Sequence, residues 1–111
     1  MNEVKYGYAL QKDKALLALA QQRMEQLEEV LDDAAPEVSA EWDRGVDGMF
    51  RPVVTLRLSD CSGWVTGVFD PKELENPSQM RFRFRFLWGD LLQVRTSERL
   101  QAVIGDGHGG G

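Results

Sequence analysis

From Leu10 to Ala35 the chain runs for 26 residues without glycine or proline, and it stops at Pro36. The stretch is rich in Ala, Leu, Gln, Glu and Met, which predicts one long helix near the N-terminus, with Asp13 or an earlier residue as its N-cap. Leu10, Leu17, Ala20, Met24, Leu27, Leu31 and Ala34 recur at helical spacing, with Asp13 the one polar intruder, and Leu16, Leu19 and Val30 widen the stripe. A stripe of that width has to be covered. Read alone, it would make a weak coiled coil, because alanine holds two inner positions. The first reading is therefore a helix lying on the chain's own sheet, and the second a dimerisation helix. The opposite side carries Glu25, Glu29, Asp32 and Asp33. These carboxylates read as a solvated face or as a docking patch for arginine.

The remainder predicts strands. Residues 36–51 hold one Pro, two Gly and an Asp-Gly step, and read as a connection in which Trp42 and Phe50 anchor a loop to the core. Pro52–Ser59 sets Val54, Leu56 and Leu58 on one face and Val53, Thr55 and Arg57 on the other. Asp60–Gly63 is a turn, and Trp64–Phe69 returns. In DPKELENP, Asp70 caps a single helical turn, Pro71 takes its first position, Glu73 is the reciprocal cap partner, and Asn76-Pro77 ends it. Gln79–Trp88 and Leu91–Thr96 predict two more strands around a Gly89-Asp90 turn. Ser97 then caps a short helix, ERLQAVI, that Gly105 terminates. Tyr6-Gly7-Tyr8 offers an edge strand. The expected fold is α+β: one long N-terminal helix packed on a four-stranded antiparallel β-meander, with a short C-terminal helix. Residues 1–105 form a single domain, since at 111 residues two cores would each be too small, and 106–111 form a flexible Gly-rich tail.

Within Gln79–Trp88 the run RFRFRF alternates Arg81, Arg83 and Arg85 with Phe82, Phe84 and Phe86. On a strand the phenylalanines point to the core and the arginines to the other face. Single-strand nucleic-acid binders need aromatic and basic groups on one face, so this alternation counts against such a platform. The outer sheet face would instead gather Arg57, Arg81, Arg83, Arg85 and Arg95, with no carboxylate among them. Arginine's planar fork suits carboxylate or phosphate.

Charge bears on the partner. Residues 1–50 carry eleven acidic against five basic side chains, and residues 51–111 seven against eight, so the net charge of −5 sits in the first half. The halves are complementary, within one molecule or between copies. An acidic chain is a poor coat for nucleic acid or an anionic membrane. Cys61 and His108 are each the only residue of their type, which supplies neither a disulfide nor a four-ligand zinc site. No apolar run approaches the ~20 residues of a spanning helix, and the N-terminus lacks the layout of a secretory signal, so a cytoplasmic location is expected.

No motif pairs an acid with a base, a metal or a phosphate loop. The expectation is a non-enzymatic interaction or assembly module without cofactor or metal. It would bind a protein partner or a second copy through Arg57, Arg81, Arg83, Arg85 and Arg95 and through Glu25, Glu29, Asp32 and Asp33. The alternative is a nucleic-acid-associated protein that contacts phosphates through the arginines.

Overall fold

The structure is a computed structural model that describes the backbone of residues 1–109 and the side chains of residues 1–97. Strand β1 (Glu3–Tyr6), helices α1 (Tyr8–Lys12) and α2 (Lys14–Leu31), strands β2 (Ser39–Val46), β3 (Pro52–Asp60) and β4 (Gly63–Phe69), and helix α3 (Pro77–Gly109) follow in that order. Two 3-10 turns, Asp32–Glu37 and Pro71–Glu75, join them. The fold is α+β, with strand order β1-β2-β3-β4. The sheet is mixed: β1 runs parallel to β2, and the other neighbours are antiparallel. A parallel pair needs a crossover, which α1 and α2 provide. The expected all-antiparallel sheet is therefore corrected. A meander exists, but it spans Ser39–Phe69, and the first element is a strand rather than the long helix.

The expected Leu10–Ala35 helix is broken at Asp13, whose backbone is non-helical and whose carboxylate accepts a hydrogen bond from the Leu16 N–H at 3.2 Å. The polar intruder of the stripe is the N-cap of α2. Five stripe residues, Leu10, Ala20, Met24, Leu27 and Leu31, are buried, and Leu16, Leu17, Leu19 and Val30 pack beside them. The stripe covers the chain's own core.

Strand β2 lies inside the stretch expected to be a loop. Glu41, Asp43, Arg44 and Gly45 have weak strand propensity, and pairing overrides it, with β3 along the whole strand and with β1 over Ser39–Trp42. Trp42 is fully buried, as an anchor should be. Phe50 is not an anchor: it is 86% exposed at the β2–β3 hairpin tip. Asp47 shapes that tip instead, accepting hydrogen bonds from the Met49 and Arg51 N–H groups at 2.8 and 2.9 Å.

The largest correction concerns residues 79–96, which are helical. Asn76 accepts a hydrogen bond from the Gln79 N–H at 3.1 Å, and Pro77 takes the first helical position. Asn76-Pro77 thus opens a helix rather than closing one. The expected fourth strand and the closing helix both belong to α3, whose backbone continues past Gly105 to Gly109. The side chains of His108 and the rest of the tail lie outside the described residues. Met80, Phe84, Leu87 and Leu91, spaced by four, three and four residues, are buried. Phe84 meets Trp42 and Phe69 edge-on, with ring centroids 6.2 and 6.4 Å apart. Phe82 and Phe86 face solvent at 60% and 61% exposure. Helices α2 and α3 thus cover one sheet face, and the other face is open. No helix among the described residues is long and apolar enough to cross a membrane.

The helix separates three phenylalanines that a strand would treat alike. Phe84→Ala should cost about 3–5 kcal/mol and Phe82→Ala under ~1, read from urea unfolding. Equal losses would restore the strand assignment.

Candidate functional site

A helix turns by 100° per residue, so RFRFRF resolves into three faces. Phe84 points inward. Arg81 and Arg85 line the flank toward α2, and Arg83 the flank toward β4. Phe82 and Phe86, one turn apart, project from the far side as a T-shaped pair with centroids 4.9 Å apart. The expected arginine row on the sheet is therefore overturned: Arg81, Arg83, Arg85 and Arg95 lie on α3, and Arg57 alone is on the open sheet face. That face also carries carboxylates, because β1 and β2 supply Glu3, Glu41 and Asp43. Across the strands Lys5, Glu41, Arg57 and Thr66 stand in one row, with signs alternating. The Arg57 guanidinium sits 4.0 Å from the centroid of the Trp64 ring.

Most of the α3 arginines are paired within the molecule. The Arg81 Nη2 lies 3.3 Å from the Glu29 Oε2, a half-exposed contact that contributes little to stability. Arg83 pairs with Glu73 at 3.3 Å, donates to the Val68 carbonyl at 2.6 Å and stacks on Phe69. Arg95 is the most embedded. Its Nε donates to the Asp60 Oδ2 at 2.6 Å, its Nη2 lies 3.4 Å from Glu37, and its guanidinium lies over Trp88. The Asp60 side chain is 1% exposed, and its other oxygen accepts from the Ser62 N–H. The hydrogen bond from Arg95 to Asp60 holds the guanidinium pKa above its already high ordinary value.

Arg85 has no ion-pair partner among the described residues. With Arg81 it lines a shallow groove between α2 and α3 together with Glu29, Val30, Asp32 and Trp88. Of the nine expected contact residues, the fold thus brings Arg81, Arg85, Glu29 and Asp32 to one place. Glu25 and Asp33 are exposed elsewhere on the surface, and Arg57, Arg83 and Arg95 lie apart from the groove. Phe82 and Phe86 had not been expected at a contact surface. Their signal was the spacing of Met80, Phe84, Leu87 and Leu91, which leaves them outside once it is read as a helix. The arrangement can bury an aromatic pair against a partner while arginine forks meet carboxylates or phosphates. No cluster of His, Cys, Asp and Glu suited to a metal ion occurs among the described residues. Cys61 is exposed in its turn, as expected.

The hairpin tip is a smaller feature. Hydrogen bonds from the Arg51 and Met49 backbones hold the Asp47 carboxyl below the usual carboxylate range. Its hold on the tip is therefore complete above that range and lost as pH falls through the lowered value. The amide resonances of Met49 and Arg51 should shift together in that acid window.

Comparison with family models, with curated proteins and with solved structures found no match for the chain, so the residues themselves carry the functional reading.

The buried pair and the unpaired arginine give opposite expectations. Arg95→Leu strands the Asp60 carboxylate and should cost about 2–4 kcal/mol in urea unfolding. Arg85→Leu should leave the midpoint within about 0.5 kcal/mol of wild type.

Proposed function

We propose that the chain is a non-enzymatic protein-interaction module, acting in the cytoplasm without a cofactor, whose contact surface is the outer face of α3. The supporting observation is the Phe82–Phe86 pair, held mostly exposed on a long helix beside the unpaired Arg85. Burying one such ring contributes about 1.5–3 kcal/mol, and aromatic and arginine side chains are enriched at the centres of interfaces. Asp32 and Glu29, across the groove from Arg85, offer the partner both signs of charge at the rim. The expected role of the acidic helix is kept in that reduced form. Arg83 and Arg95 act within the molecule instead.

A second reading gains one point. Arg81, Phe82 and Arg85 line one shallow hollow, and a basic group beside an aromatic ring is what single-stranded nucleic acid requires. Against it stand the net charge of −5 and the carboxylates already holding Arg81 and Arg83. A protein partner is the better reading.

A Phe82→Ser/Phe86→Ser variant should keep its melting temperature yet lose the proteins that the wild type retains from a native-host lysate, and Arg85→Glu should weaken the same set. Retention of that set by the double variant would refute the surface. Micromolar affinity of the wild type for single-stranded RNA at ~0.15 M salt would favour the second reading.

A further inference from the structure

The two edges of the sheet differ. Strand β1 is four residues long and carries Glu3 and Lys5, a length and charge that discourage further pairing. Strand β4 is seven residues, GWVTGVF, without a charge or a proline, and it pairs with β3 alone. Val65, Gly67 and Phe69 turn toward the core, while Trp64, Thr66 and Val68 face the open side, with Trp64 56% and Val68 51% exposed. The Val68 carbonyl accepts from Arg83 and so points off the free edge. By strand alternation the N–H and C=O groups of Trp64 and Thr66 point the same way. Apart from Val68 C=O, no partner among the described residues takes these edge groups.

We infer that β4 is a self-association edge that pairs antiparallel with β4 of a second copy about a dyad at Thr66, joining two sheets into one of eight strands. The sequence is self-complementary about that residue. Trp64 falls opposite Val68 of the second copy, Val68 opposite Trp64, and Thr66 opposite Thr66. All three pairs are of the hydrogen-bonded kind, because all three residues present their backbone groups to the edge. Each exposed apolar side chain thereby gains a cross-strand apolar neighbour. Helix α3 lies along the inner side of this edge. This helix runs antiparallel to β4: Arg83 lies at Phe69, Leu87 at Gly67 and Val94 at Gly63. Asp90 lines the hollow at Thr66 with Phe86. The dyad therefore sets Arg83 of one copy opposite the Gly63 end of the other copy's β4 and leaves Asp90 near the axis. A foreign strand could take the same hydrogen bonds but would lack this match in side chains.

This contact goes beyond the α3 face proposed above, and either can fail alone. Sedimentation velocity of the full chain, from ~5 to ~500 µM, tests it against the range expected of small interfaces. The wild type should pass from monomer to dimer in that range. Thr66→Lys sets two ammonium groups against each other at the dyad and should raise the dissociation constant by roughly 100-fold or more, with the dilute melting temperature unchanged. Thr66→Pro removes an edge N–H that β3 does not use, and it serves as the second variant should the lysine perturb folding. Phe82→Ser alone, which lies away from the β4 edge, should dimerise like the wild type. A wild type that stays monomeric throughout, or a folded Thr66 variant that still dimerises, overturns the inference. Loss of the dimer in the phenylalanine variant but not in the Thr66 variants would overturn it in favour of self-association through α3.

Discussion

The seating of Phe84 between Trp42 and Phe69 is the contact on which the rest depends. A sheet with one apolar face needs a cover, and α2 supplies only half of one. The other half comes from α3, whose residues 81–86 alternate strictly between arginine and phenylalanine. Its rotation about its own axis is decided by which aromatic ring enters the core. With Phe84 inside, Met80, Leu87 and Leu91 follow at helical spacing and are buried with it. Every other side chain of the run then has its direction set. Arg81 and Arg85 meet α2, Arg83 meets the β4 edge, and Phe82 and Phe86 are left to solvent.

That rotation also settles how the uneven charge of the sequence is used. The acidic first half and the arginine-bearing second half could have been complementary within a molecule or between copies. Arg81–Glu29, Arg95–Glu37 and Arg51–Asp47 each join the two halves inside one molecule. Most are exposed and contribute little individually. The pair of Arg95 with the nearly buried Asp60 differs, since a carboxylate removed from water needs its partner. It fastens α3 to the β3–β4 turn about three helical turns beyond Phe84. The helix is thus held to the sheet at two separated points, one apolar and one ionic.

The parts legible from sequence were those in which one periodicity stood alone. The α2 stripe, the Val54, Leu56, Leu58 alternation, the Asp60–Gly63 turn and the Asp70 cap were each read correctly. RFRFRF points to a strand because perfect alternation satisfies a period of two, and phenylalanine also favours strands. A window widened to Met80–Leu91 favours the helix instead, and Asn76-Pro77 is a start signal when read forward. Strand β2 was hidden for another reason. Only Ala40 and Trp42 mark its inner face, and its outward residues are poor strand formers, so pairing with β1 and β3 decides it. With α3 misplaced, the arginines fell on the wrong surface, and the carboxylates of β1 and β2 were missing from the open face.

Arg83 is where these consequences meet. One side chain pairs with Glu73, stacks on Phe69 and donates to the Val68 carbonyl. It therefore ties α3 to the turn that precedes it, to the core and to the sheet edge. At the edge it takes one carbonyl, at the Phe69 end, and leaves the groups of Trp64 and Thr66 open. A carbonyl oxygen has two lone pairs, so this contact does not close even Val68 to a further donor. Nature commonly blunts an edge with a charge that points outward along the strand itself. Here the charge comes from the helix and lies across the strand's end, which leaves the middle of β4 uncharged. The choice of Phe84 for the core thus also fixes how much of the β4 edge remains open to another strand.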